Sequence, residues 1–248
     1  MRVAWMSVLG LAVVTSAAIA CSSSGSDGGS SGSSGSTSKD GGSGGPKDAD
    51  VGDGGIGNNT DLTILPDRAY TGFDNGAHTF AVPISIAGAK ADLKLVASDP
   101  SMVDIKTATN TNPDAAGTDE KWFLVTTKKA GSVTLTATSG GTSVEAKLTI
   151  AQYTSARWDT GNTRYHNAAA GGDPPCAQCH EKAGGADHSP LTLSPVDDES
   201  AKTVITAGII NGIPVNKGNH KWEATPSELD GLVTYLRALP PRGIAATK

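Results

Sequence analysis

The most regular stretch of the sequence is Gly131-Ser132-Val133-Thr134-Leu135-Thr136-Ala137-Thr138-Ser139, and Gly140-Gly141 separates it from a second alternating run at 144–150. In both runs apolar residues occupy every second position, with mostly Thr, Ser, Glu or Lys between them. Because successive side chains of a strand point to opposite faces, this pattern predicts strands with one buried face. Ser139-Gly140-Gly141 is a turn signal that separates the two strands.

Shorter runs of the same kind extend the pattern across residues 61–151. Residues 93–97 place apolar side chains at alternate positions. Asp74-Asn75-Gly76 and Ser98-Asp99-Pro100 are turn signals that separate the runs. Several short alternating strands at this spacing predict a small antiparallel β-sandwich over residues 61–151.

Two segments of this region resemble recurring stretches of group 2 bacterial immunoglobulin-like domains. They are Ala97-Ser98-Asp99-Pro100-Ser101-Met102-Val103-Asp104-Ile105 and Lys129-Ala130-Gly131-Ser132-Val133-Thr134-Leu135-Thr136-Ala137-Thr138-Ser139-Gly140-Gly141. The resemblance implies an immunoglobulin-like sandwich that serves as a spacer or docking module. No cluster of His, Cys and carboxylates in this part of the sequence marks a catalytic site, and we expect His78, beside a turn, to be a surface residue.

Residues 1–20 have the pattern of an export signal, in which Arg2 precedes an apolar stretch at 3–14. The segment Ala18-Ile19-Ala20-Cys21 resembles the lipobox of bacterial lipoproteins. This resemblance implies that Cys21 is acylated and holds the protein to a membrane, and Ser22 after it implies the outer membrane. The alternative is an ordinary secretory signal that leaves Cys21 as a free thiol.

Residues 21–60 form a linker of Ser, Gly and Asp with almost no apolar side chains after Cys21. Such a segment cannot bury enough surface to offset its conformational entropy, so we expect a disordered tether. The whole chain has a formal net charge of −5 and no run of Lys or Arg. We therefore expect no nucleic-acid partner.

The segment Cys176-Ala177-Gln178-Cys179-His180 is a C-x-x-C-H motif. Two cysteines three positions apart on one helical turn reach both vinyl groups of a porphyrin, and the adjacent His supplies an axial nitrogen to the iron. A zinc site would need further Cys or His ligands, and no second Cys pair exists in the sequence. A thioredoxin-like dithiol would lie in a βαβ context, which the sequence does not indicate. The motif predicts one covalently attached haem c.

Residues 152–248 resemble a small class I cytochrome c. Gly161 to Tyr165 is similar to the first helix of that family, and Pro190-Leu191 matches the loop in which a Pro carbonyl accepts a hydrogen bond from the proximal imidazole. The resemblance implies that Pro190 orients His180. Together with residues 61–151, it predicts a multidomain protein in which the immunoglobulin-like β-sandwich is followed by a small all-α cytochrome c domain.

Two helices are predicted near the end of the chain. The first extends from Asp198 to about Gly208. The second begins at Thr225, a candidate N-cap, with Pro226 at the first helical position and Glu228 completing a capping box. Apolar residues then recur at helical spacing, at Leu229, Leu232, Val233, Leu236 and Leu239. The resemblance implies that this last helix crosses the first helix of the domain.

The sixth iron ligand departs from the family pattern, because no Met follows Cys179. His220 lies shortly before the last helix, where the family has its Met, and Trp222 is near it. We therefore predict bis-histidine iron with His180 and His220 as the metal ligands and Trp222 beside the haem. The alternatives are ligation by His188 or His166, or a five-coordinate iron.

An iron with both axial positions filled favours one-electron transfer over catalysis, since no position is left for substrate. The sequence therefore predicts an electron carrier rather than an enzyme, exchanging electrons with redox protein partners in the periplasm or at the cell surface. Two alternatives remain at this point. One is a haem-based sensor or peroxidase-like protein with an exchangeable sixth ligand. The other is a surface interaction protein in which the haem is accessory.

Overall fold

The computed structural model describes residues 61–112, 120–169, 172–181, 185–210, 213–214 and 222–247. The predicted export signal, the linker, Cys21 and His220 lie outside these described residues, so they remain predictions. Within the described part, the first half of the chain is strand and the helices follow it.

Two sheets enclose the larger core. Their first eight strands are β1 (Thr63–Leu65), β2 (Arg68–Phe73), β3 (Ala81–Ala87), β4 (Lys94–Ala97), β5 (Val103–Asn110), β6 (Lys121–Thr127), β7 (Gly131–Ser139) and β8 (Thr142–Gln152). One sheet has the order β2-β8-β7-β4, with β2 parallel to β8 and the other pairs antiparallel. The other contains β1-β3-β6-β5.

The hairpin of β7 and β8 shows how the alternating pattern builds this core. Val133 pairs with Leu148, and Leu135 pairs with Ala146. All four side chains are almost fully buried, while the Thr, Glu and Lys between them lie on the outer face. Each buried aliphatic side chain contributes about 1.5–3 kcal/mol of hydrophobic free energy. The strands predicted for this stretch are therefore present, with the predicted face inside.

Five helices follow the strands: α1 (Ser155–His166), α2 (Ala177–His180), α3 (Pro190–Leu193), α4 (Asp198–Ala207) and α5 (Pro226–Arg237). The two predicted helices are confirmed. Asp197 caps α4, which ends at Gly208 in the left-handed conformation. Thr225 and Glu228 form both hydrogen bonds of the capping box at the start of α5.

The prediction of a separate all-α domain at the end of the chain is wrong. This region also contains β9 (Ile209–Ile210) and β10 (Ile213–Pro214), which pair with each other, and β11 (Ile244–Ala246). Strand β11 pairs antiparallel with β5 and becomes the edge strand of the larger sheet. The fold is mainly β-sheet. The helical part of the chain lies between β8 and β11, so it is joined to a sheet at its beginning and at its end. A three-residue strand is too short for sequence periodicity to reveal it.

Helices α1 and α5 pack closely where two glycines meet. A Cβ atom built on Gly161 would lie 1.9 Å from the carbonyl oxygen of Gly231, and a Cβ on Gly231 would lie 2.7 Å from the Gly161 nitrogen. Both distances are far below van der Waals contact, so neither position has room for a side chain. The close approach packs Leu232, Tyr235 and Leu236 of α5 into one apolar cluster with Tyr165 of α1. These four residues form the helical core.

A buried arginine attaches the helices to one another and, through one shared partner, to the sheets. The Arg237 side chain is 2% exposed. It donates to the carbonyl oxygen of Leu193 at 2.6 Å, to that of Val196, and to Asp198 Oδ1 at 3.0 Å. The other oxygen of Asp198 accepts a hydrogen bond of 2.6 Å from the hydroxyl of Tyr153, which directly follows β8. Burial and the Asp198 carboxylate both raise the pKa of Tyr153 above its ordinary value, so the hydroxyl remains a donor.

Replacing Gly161 by Ala is expected to lower the free energy of unfolding by about 1–3 kcal/mol or more, because the new methyl group would overlap the backbone of Gly231. The measurement is urea unfolding of the full chain. Asn162→Ala on the next position of α1 is the control, since its side chain is only half-buried. Equal stability of the two variants would contradict the close crossing.

Replacing Arg237 by Met is expected to lower the free energy of unfolding by about 3–5 kcal/mol, because Asp198 and two backbone carbonyls would lose their buried donor. Lys106→Met is the matched control, since Lys106 forms an ion pair with Asp104 in which both side chains are largely exposed. That loss should be within about 1 kcal/mol. Equal losses at the two positions, measured by urea unfolding, would show that Arg237 does not have this role.

Candidate haem-attachment site

The C-x-x-C-H motif forms a single helical turn. Cys176 is the N-cap of α2, and both Cys179 and His180 lie within that helix. The backbone nitrogens of Cys179 and His180 donate to the carbonyl oxygen of Cys176 at 3.2 and 3.1 Å. Because residues three and four apart are neighbours on a helix surface, the turn places the three side chains on one face. Cys176 is a free thiol there, whereas Cys179 is disulfide-bonded. The spacing that the sequence predicted as functional is thus realised in the backbone.

The motif lies against the helical core. Cys176 and Ala177 pack on that cluster as half-buried residues, together with Trp158, Leu193 and Ile205. Burial raises the pKa of the Cys176 thiol above its ordinary value, and the positive charge of Arg164 opposes this shift. Cys176 therefore packs on an apolar wall, the helical core, with one cation near it. Its thiol is protonated at neutral pH.

His180 is oriented by a backbone carbonyl and by a second imidazole. Its Nδ1 lies 3.1 Å from the carbonyl oxygen of Ala186. The His180 ring also stacks on the ring of His188, with centroids 3.5 Å apart and planes inclined by 28°. A histidine that donates from Nδ1 to a carbonyl presents Nε2 as its acceptor nitrogen, which is the arrangement that orients metal-ligating imidazoles.

Pro190 has a different place from the one that the resemblance implied. Its carbonyl oxygen accepts a hydrogen bond from the Ser194 nitrogen at 3.1 Å, as part of α3. The carbonyl that faces His180 is instead that of Ala186. Pro190 is buried at the start of α3, where Ser189 is the N-cap. Pro190 begins α3, the helix that follows the motif, and its own carbonyl is used within that helix.

His166 and His78 have partners in the structure. The Nδ1 of His166 lies 2.9 Å from the carbonyl oxygen of Asn162, and its Nε2 lies 3.1 Å from Oε1 of Glu181. His78 pairs with the buried carboxylate of Asp74 and stacks on the ring of Trp158 at 4.0 Å. His78 is partly exposed beside a turn, as predicted, but it is not isolated, because these contacts close the β2–β3 loop onto α1.

Trp222 lies at the start of the described segment that leads into α5. Its backbone nitrogen donates to the carbonyl oxygen of Ile205 in α4 at 3.3 Å, and the guanidinium of Arg164 lies 5.7 Å from the centroid of its ring. The next nitrogen, that of Glu223, donates to the Asp173 carboxylate at 2.9 Å. These contacts hold Trp222 between α1 and α4, while Glu223 is tied to the segment that precedes Cys176.

Sequence reasoning found the motif but missed Arg164 and Tyr235. Tyr235 lies 5.0 Å from the ring of Tyr165 and 5.3 Å from that of Trp158, measured between ring centroids. The sequence signal for Arg164 is its spacing of three from Gly161, which places both on one face of α1. A charged residue on the buried face of a helix points to an interaction that apolar packing alone does not supply.

Within the described ranges, no group of three or more His, Cys, Asp or Glu side chains is placed to hold a metal ion. A search of protein-family models gave no match to the chain, and a comparison with curated proteins gave none either. The functional interpretation therefore rests on the geometry of α2 and its surroundings.

Proposed function

We propose that the chain carries one haem c attached through Cys176 and Cys179, with His180 as an axial ligand, and that it transfers single electrons between redox proteins. The observation that carries this proposal is that Cys176, Cys179 and His180 lie on one helical turn, whose first residue packs on an apolar wall, the helical core. An exposed dithiol turn would not need that wall, whereas a porphyrin buries a large apolar surface.

The donor set fits this group. Cys176 is a free thiol and Cys179 is disulfide-bonded. Once a thiol reductant had released the Cys179 thiol, each thiol would add across a vinyl double bond, with the sulfur bonding one carbon and the hydrogen passing to the other. His180 Nε2 would donate to the iron, and the Ala186 carbonyl holds the His180 ring through Nδ1. The bound haem supplies a reversible one-electron iron couple. The helical core and Trp158 would limit the access of water to the site, and solvent access and local dielectric influence the reduction potential of a bound iron.

We propose His220 as the second axial ligand. His188 stacks on the His180 ring, so it lies beside the proximal imidazole rather than across a porphyrin from it. His166 is held at both ring nitrogens, by Asn162 and Glu181. Trp222, two residues after His220, is fixed to α4 and Arg164. Filled axial positions favour electron transfer over sensing or peroxidase chemistry.

We further propose that acylated Cys21 anchors the chain to the outer membrane, with residues 21–60 as a tether and the folded part in the periplasm or at the cell surface. A search of the described residues finds no helix that is long and apolar enough to cross a membrane. Three acyl chains on one residue would give stable anchoring without such a helix, since each buried methylene contributes about 0.8 kcal/mol.

Covalent attachment is tested by producing the full chain with a c-type maturation system. We expect a mass increase of one haem that survives denaturation. The double variant Cys176→Ser with Cys179→Ser should lose it, whereas His78→Ala should retain it, since His78 lies on the β2–β3 loop. Cys179 is disulfide-bonded in this structure, and a disulfide is distinguished from haem attachment because reductant breaks a disulfide without breaking a thioether. A wild-type chain with no haem after maturation would contradict the proposal.

The axial ligands are tested by low-temperature EPR and visible spectroscopy of the matured chain. We expect low-spin signals of the bis-imidazole type that become high-spin in His220→Ala. His166→Ala is the matched control and should keep the wild-type spectrum, because the His166 ring is occupied by Asn162 and Glu181. A high-spin wild type, or an unchanged spectrum in His220→Ala, would exclude His220 as a ligand.

A further inference from the structure

Arg164 is a buried cation whose hydrogen-bonding capacity is only partly used. Its side chain is 3% exposed. One terminal nitrogen, Nη1, donates to the carbonyl oxygen of Asn167 at 3.1 Å. Its Nε is buried and has no hydrogen-bond partner within the described part of the chain. A buried polar group left in this way costs about 1–3 kcal/mol, and more when the group is charged, so its presence needs a cause.

The nearest carboxylate does not supply that partner. Glu228 Oε1 lies 4.0 Å from Arg164 Nε, which is beyond hydrogen-bonding distance. The other oxygen of Glu228 accepts from the Thr225 nitrogen at 2.8 Å and from the Thr225 hydroxyl at 2.9 Å. These bonds form the capping box of α5, so Glu228 is held at the helix start. Arg164 therefore carries a positive charge that is attracted to Glu228 but is not bonded to it.

The face of Trp222 explains part of this placement. The guanidinium lies 5.7 Å from the Trp222 ring centroid, within the range of a cation–π contact. Such a contact uses the face of the guanidinium and leaves the N–H groups at its edge without acceptors. Packing on Trp222 therefore accounts for the burial of Arg164 but not for the donor at Nε.

The position of Arg164 near the motif indicates which group could accept a hydrogen bond from its Nε. Tyr165, the next residue of α1, belongs to the helical core on which Cys176 packs, and the positive charge of Arg164 opposes the rise in the pKa of the Cys176 thiol. The guanidinium therefore belongs to the surroundings of the helical turn 176–180. A haem bound at this turn brings two propionate carboxylates, and a guanidinium matches a carboxylate with a fork of parallel N–H donors. We propose that Arg164 binds a propionate of the attached haem, an inference that rests on the proposed function.

This role gives Arg164 an influence on the iron. A fixed positive charge in a site of low dielectric favours the reduced iron, which carries one positive charge less than the oxidised iron. It also holds the propionate in its ionised form. Loss of the charge should therefore lower the reduction potential, and it should let the propionate take up a proton within the accessible pH range.

The test is spectroelectrochemical titration of the matured full chain as a function of pH. In Arg164→Gln we expect a lower reduction potential than in the wild type and a new pH-dependent step. Arg164→Lys keeps the charge without the fork, so the same changes should be smaller. Arg157→Gln is the matched control, because Arg157 lies two turns earlier on the same helix and pairs with Asp230 at 3.3 Å. Its potential should equal that of the wild type.

The outcomes separate this inference from the function on which it rests. A wild-type chain that attaches no haem overturns both. If haem is attached and Arg164→Gln has the wild-type potential and pH profile, the propionate contact is overturned while the electron carrier remains. If Arg164→Gln does not attach haem, Arg164→Lys is used to test the propionate contact instead. A wild-type potential and profile in that variant would then overturn the contact.

Discussion

A single buried guanidinium, that of Arg237, fixes how the helices lie on the sheets. It satisfies the carbonyl oxygens at the end of α3 and in the following turn, and it holds Asp198 at the start of α4. Asp198 in turn accepts from Tyr153, beyond the last strand of the hairpin. Taking these charges out of water costs several kcal/mol per ion, and only a complete set of partners offsets that cost. The hydrogen bonds of Arg237 can therefore all form in only a narrow range of arrangements of α3, α4, α5 and β8.

The candidate site depends on that arrangement, because no single element forms it. Helix α5 is held at its end by Arg237 and at its middle by the contact of Gly231 with Gly161. Its apolar face is the wall on which Cys176 packs. After α5, strand β11 returns to the larger sheet. The chain thus enters a sheet both before and after the helices that surround the motif. For this reason the prediction of a separate helical domain was wrong.

The parts that sequence reasoning predicted are those whose physical cause is local. The β7–β8 alternation, the capping box at Thr225 and the C-x-x-C-H turn each arise from residues within a few positions of one another. The missed parts are non-local. Arg237 meets Asp198 across 39 positions, and β11 has too few residues for a periodic signal. For the site, the motif was evident, but the burial of Arg164 depends on α5 and Trp222, which no local pattern specifies.

The two buried arginines differ in how completely the described part of the protein compensates their charge. Arg237 has three acceptor oxygens within reach, so its charge is compensated by the protein itself. Arg164 has one carbonyl oxygen, a ring face and a carboxylate held 4.0 Å away. Burial costs both side chains a similar desolvation energy, so the shortfall at Arg164 must be tolerated by the fold or made up by a bound group. Since Arg237 accounts for the orientation of the helices, the fold does not need a second buried cation for that purpose. Under the proposed function, a propionate of the attached haem would supply the acceptor that Arg164 lacks.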